Sequence, residues 1–127
     1  MRVLVISDIH ANITALEAVL ADAGEVEENW CLGDVVGYGP DPNECVEKIA
    51  SLPNLTAVLG NHDVAVLGKM PLVAFNGDAR ISLEWQIANT KQDNLDFLDG
   101  LPQKPVIRED ATLVHGSPRD PVWEYIL

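Results

Sequence analysis

The chain has 127 residues, the length of one ordinary domain, and its 47% hydrophobic and 22% charged content is that of a globular protein rather than a disordered one. Eight Lys and Arg against 20 Asp and Glu leave a formal charge of −12. This argues against sequence-independent nucleic-acid binding and against docking on anionic lipid, both of which need a basic surface. A phosphate-bearing substrate stays open where a metal ion supplies the positive charge. Two cysteines, Cys31 and Cys45, are too few for a disulfide framework and stand in no CxxC. No apolar run approaches a signal peptide or a membrane span, so a reducing cytoplasm is the expected compartment.

In chain order, Val3 to Ile6 is a short β-branched run and reads as a buried strand. Ala11 to Ala23 places Ile13, Leu16, Val19 and Leu20 at helical spacing, with Asn12 as a cap and Gly24 as a stop. Asn29 to Leu32 is the second strand, ending at Gly33-Asp34, and Val35 to Pro40 is a Gly-rich loop. Asp41-Pro42-Asn43-Glu44 resembles a capping box that opens a helix running through Cys45, Ile49 and Leu52. Leu55 to Leu59 is the third strand and ends at Gly60-Asn61-His62-Asp63. Two further helices are expected, Asn76 to Asn89 and a short one opened by Thr90-Lys91-Gln92-Asp93. Val106 to Glu109 and Ala111 to Val114 then read as a hairpin. No repeat or linker divides the chain, so one α/β unit is expected. Its β-α-β-α-β start predicts a parallel sheet, and ligands of such sheets sit outside the carboxyl ends of the strands.

The polar clusters fall at those ends. Asp8-Ile9-His10, Gly33-Asp34 and Gly60-Asn61-His62-Asp63 follow the first three strands, and His115-Gly116 follows Leu113-Val114. Each cluster alone is an ordinary cap, turn or loop. Together they carry all three histidines of the chain. Gly33, Gly60 and Gly116 are expected to let the backbone approach a bound ion. Asp, His and Asn without thiolate suit Mn²⁺, Fe, Co²⁺ or Zn²⁺ in a two-metal site, with Asp34 bridging through its two oxygens.

These four clusters, in this order, together with Cys31-Leu32-Gly33-Asp34-Val35-Val36-Gly37-Tyr38-Gly39-Pro40, resemble the calcineurin-like metallophosphoesterases, and most closely their short prokaryotic phosphodiesterase branch. The resemblance implies a two-sheet sandwich flanked by helices and a metal-dependent phosphoester hydrolase, first of all a phosphodiesterase, that uses a metal-activated water. It implies that Asp8, His10 and Asp34 hold one divalent ion and that Asp34, Asn61 and His115 hold the other. His62 is then the residue that faces the phosphate and protonates the leaving oxygen, and Asp63 the residue that orients it. The expected substrate is a small-molecule phosphoester or a nucleotide.

The family pattern closes with a Gly-His-x-His motif that supplies one histidine to each metal, and none follows His115. The chain is therefore expected to be the N-terminal portion of a single metallophosphoesterase-like domain over residues 1–127, with two metal ligands missing and weak metal binding by itself. One face of its sheet is expected to lack cover, which a homo-oligomer or further chain would provide. An inactive protein-binding member of the fold and a phosphomonoesterase are the alternative readings. Among other residues, Cys31 reads as a buried strand thiol, and Ile81, Trp85 and Ala88 as one core-facing helical stripe. Arg119 reads as a surface ion pair rather than a phosphate contact, and Tyr38 as a pocket wall or a packing residue.

Overall fold

The computed structural model of the chain describes residues 1–126. Strand β1 (Val3–Ile6), β2 (Glu28–Cys31) and β3 (Leu55–Ala57) form a parallel sheet in the order β1-β2-β3. The register pairs Val5 with Trp30 and Trp30 with Thr56. Helix α1 (Ile13–Ala23) and α2 (Pro42–Ala50) make the two crossovers. α1 begins at the predicted cap, where the Asn12 side chain accepts the Ala15 N–H at 3.0 Å, and it stops at Gly24 with φ of 66°. Asp41 forms no capping box. Its carboxylate accepts the Ile13 N–H at 3.4 Å, so it ties α2 to the start of α1.

After β3 the chain enters α3 (Asn61–Val66), a short helix buried along its whole length that the sequence reading took for a polar loop. A single 3₁₀ turn (Leu72–Ala74) leads to α4 (Gly77–Asn89) and α5 (Gln92–Asp99), and β4 (Val106–Arg108) pairs antiparallel with β5 (Ala111–Leu113). On α4 the buried stripe is Ala79, Leu83 and Gln86. The expected stripe of Ile81, Trp85 and Ala88 faces outward, one register round the helix. Both stripes fit a 3.6-residue period, and Gln86 occupies a core position that polarity argues against.

One face of the sheet meets the helices in a core that includes Leu16, Cys31, Val36, Cys45, Ile49 and Leu83. On the other face Trp30 and Val58 pack under Leu113 of the β4-β5 hairpin. That cover is partial, because Val5, beside Trp30 on the edge strand β1, is 51% exposed. Cys31 and Cys45 are free, buried thiols. Arg119 pairs with Glu124 at the surface. No helix among the described residues is long and apolar enough to cross a membrane.

Candidate metal centre

The carboxyl ends of the three parallel strands converge. Asp8 follows β1, Asp34 follows β2, and Asn61 and His62 open α3 after β3. Asp8, His10 and Asp34 have φ of 57°, 49° and 56°, the left-handed region that non-glycine residues seldom occupy, so the backbone is strained where it turns side chains inward.

Asp34 lies at the middle. Its Oδ2 stands 3.3 Å from His115 Nε2 and 3.6 Å from His10 Nε2, while its Oδ1 accepts the His62 backbone N–H at 3.0 Å. Oδ1 is thus engaged by the backbone, while Oδ2 faces both histidines. Asp8 Oδ1 is 3.5 Å from His10 Nε2, and Asn61 Oδ1 is 3.1 Å from His115 Nε2. Potential ligand atoms of Asp8, Asp34 and His115 all lie within 4.8 Å of one another, and so do those of His10, Asp34 and His62. All five residues expected to ligate thus come together.

The donor chemistry fits divalent cations. His10 Nδ1 and His115 Nδ1 lie 3.0 and 2.8 Å from the carbonyls of Val36 and Leu32. Each ring that donates Nδ1–H to its carbonyl turns Nε2 toward Asp34, the outer-shell arrangement that orients metal-binding imidazoles. His115 Nε2 then faces only oxygens, so without a metal it must carry a proton. Burial draws its pKa down, but the bond to Asp34, that residue's charge and the Leu32 carbonyl outweigh this and lift it to about 9. A cation placed there replaces that proton. In metal-free protein the raised pKa contributes stability that is fully present below the unfolded-state value near 6.5 and is lost as pH rises through about 9. The difference in melting temperature between wild type and His115→Gln is therefore expected to be largest near pH 6 and to shrink toward pH 10. A gap of constant size would contradict this account.

The Asp63 carboxylate, expected to orient His62, bonds backbone amides instead of the His62 ring. Fully buried, its Oδ2 accepts the N–H groups of Asp34 (2.8 Å) and Gly60 (3.0 Å), and its Oδ1 accepts that of Val36 (3.2 Å). It is the brace that joins the loop after β2 to the start of α3. Burial pushes its carboxyl up, and Asp34 adds to this against the pull of the three amides. The glycines serve the same junction. A Cβ on Gly33 would meet the Gly60 backbone N at 2.4 Å, and one on Gly60 would meet Asp34 Oδ1 at 2.1 Å. They permit two backbones and a carboxylate to close on one another. Gly116 lies instead against Asp120 and Glu124 in the C-terminal turn.

His62 is buried, and burial holds its pKa below the ordinary value. Its ring packs against His10 (centroids 4.8 Å), Phe75 (5.0 Å) and Tyr38 (5.0 Å). Tyr38 also meets His10 edge-on at 5.0 Å, so it walls the site. The sequence reading missed Gln86. Its Oε1 accepts the Gly37 N–H at 2.6 Å and its Nε2 donates to the Gly39 carbonyl at 2.8 Å, which clamps the Gly-rich loop on both sides of Tyr38. A glutamine at a helical core position is the one sequence signal that could have found it.

Comparison with known proteins identifies the family. The profile of the calcineurin-like phosphoesterases matches residues 1–126. The chain belongs to that family. As a calcineurin-like phosphoesterase it resembles the crystal structure of a metallophosphoesterase from Sphaerobacter thermophilus, at 53% identity and a TM-score of 0.85 over 99% of this chain and 51% of the other. An uncharacterized protein of Methanocaldococcus jannaschii is 45% identical over 98% of this chain and 53% of its own length. The symmetrical bis(5'-nucleosyl)-tetraphosphatase of Pectobacterium carotovorum is 28% identical over 89% of this chain and 41% of its own. The chain thus spans about half the length of these calcineurin-like relatives.

Proposed function

We propose that the chain carries the centre of a metal-dependent phosphoester hydrolase, foremost a phosphodiesterase, with nucleotides as a substrate class. The observation that carries this reading is the convergence of His10, His115 and Asp34 through one carboxylate oxygen, with Asp8 and Asn61 beside them. The tetraphosphatase relatives support the nucleotide class. Asp8, His10 and Asp34 would hold one divalent ion, and Asp34, Asn61 and His115 a second, whether Mn²⁺, Fe, Co²⁺ or Zn²⁺. Such ions supply Lewis-acid charge at phosphoryl oxygens and lower the pKa of water. In a chain of charge −12 they take the place of a basic phosphate pocket.

The protein's own groups orient and move protons. His62 Nδ1 is buried without a partner among the described residues. The neutral tautomer that avoids an unpaired buried N–H carries its proton on Nε2. That N–H donates to a substrate oxygen, and the negative charge of a bound phosphate favours the imidazolium that a general acid requires. Tyr38 and Phe75 hold the ring on two sides and keep water from it.

His62→Ala in the full-length protein is expected to lower turnover of bis(4-nitrophenyl) phosphate by about 10²–10⁴-fold. Metal content, read by elemental analysis, should stay near the wild-type value. Parallel loss of metal and rate would make His62 a ligand, a role that its place beside His10 and Asp34 permits.

A further inference from the structure

Tyr38 has a second side. Past its ring, the Gly-rich loop and α4 enclose a cleft of about 430 Å³, lined by Tyr38, Pro40, Asp78, Ile81, Ser82 and Trp85. That size lies within the roughly 300–1,000 Å³ of small-ligand sites. Tyr38, Ile81 and Trp85 are 49%, 66% and 48% exposed, a dense apolar and aromatic surface for an acidic chain. The cleft is also braced. Gln86 clamps Gly37 and Gly39, and Ser82 Oγ accepts the Tyr38 N–H at 3.1 Å, so loop and helix hold one spacing. The residue that touches His10 and His62 therefore forms the near wall of the cleft, which sets the cleft beside the phosphoester site with the Tyr38 ring between them.

We infer that this cleft is the subsite for the nucleobase of the substrate, with Trp85 and Tyr38 as stacking surfaces and Asp78 as acceptor for a ring amino group. The inference rests on the phosphoester reading and names what is attached to the phosphate. A flat aromatic heterocycle fits because it stacks on exposed rings irrespective of charge. A second anionic group does not, since the cleft offers it a carboxylate. A carboxylate at the rim accepts a hydrogen bond from an amino-bearing base, as acidic side chains do from cytosine.

The test compares adenosine 5'-monophosphate with ribose 5-phosphate, which share sugar and phosphate and differ by the base. Calorimetry on the full-length protein with Mn²⁺ is expected to show the nucleotide binding about tenfold more tightly. Trp85→Ala should erase that difference and leave ribose 5-phosphate unchanged, while Trp85→Phe should keep most of it. Equal wild-type affinities for the two probes, or a Trp85→Ala variant that weakens both alike, would overturn the proposal. Adenosine alone separates the two readings. If ribose 5-phosphate fails to bind yet adenosine quenches the fluorescence of wild type and not of Trp85→Phe, the phosphoester reading fails and the cleft stands. No quenching together with no nucleotide binding sinks the cleft.

Discussion

Asp63→Ala is expected to lower the melting temperature of the protein by about 10–20 °C, from a stability loss of about 3–5 kcal/mol. The carboxylate is fully buried and is the acceptor for three backbone amides, those of Asp34, Val36 and Gly60. Its removal strands all three in a site closed to water, and each unsatisfied buried donor costs about 1–3 kcal/mol. The effect does not depend on whether the carboxyl is charged, because either form retains acceptor oxygens. Asp63→Asn should fall between wild type and alanine. One amide oxygen can keep the Asp34 and Gly60 bonds, whereas its NH₂ would abut the Val36 N–H. Thermal unfolding of metal-free protein, followed by circular dichroism, checks the order. An alanine variant that melts within a few degrees of wild type would show that the brace is dispensable. Turnover lost with melting unchanged would return Asp63 to the role of orienting His62.

Asp34→Asn is expected to abolish stable metal uptake and to reduce phosphodiester turnover by more than about 100-fold. Even residues behind the ligands are worth about 10–100-fold, and Asp34 contributes the oxygen between both histidines. A second readout needs no metal. The proton on His115 is held by Asp34, so in the metal-free variant the His115 pKa should fall from about 9 toward its ordinary value. Imidazole titration by NMR measures this directly. Retention of both the high His115 pKa and the metal would place the centre elsewhere.

The three parallel strands were readable because each carries a short apolar stretch before a polar residue or glycine, Val3–Ile6 before Ser7, Trp30-Cys31-Leu32 before Gly33 and Ala57-Val58-Leu59 before Gly60, the mark that burial in a parallel sheet leaves in local sequence. The residues of the candidate site were readable for a related reason. Strand ends in such a sheet lie on one edge, so Asp8, His10, Asp34 and Asn61 meet wherever the β-α-β order holds, whereas His115 arrives from the separate β4-β5 hairpin and is held there by the Leu32 carbonyl and Asn61. What the sequence did not show arises between segments far apart in the chain. Asn61-His62-Asp63 looks like a loop because its polarity hides a helix whose Asp63 binds amides up to 29 residues away. The stripe that faces the core on α4 was decided by Gln86, whose partners Gly37 and Gly39 lie 49 and 47 residues earlier. Periodicity allows Ile81 and Trp85 on either side of that helix, and the amide bonds of one glutamine turn them outward to the cleft. Gly33 and Gly60 read as places where the backbone can approach an ion, and the fold adds a second requirement, their close approach to one another and to Asp34. Local pattern determined the elements and the edge on which the chemistry sits. Tertiary packing decided which buried polar groups brace that edge, because the satisfaction of a buried hydrogen bond depends on a partner that local sequence cannot name.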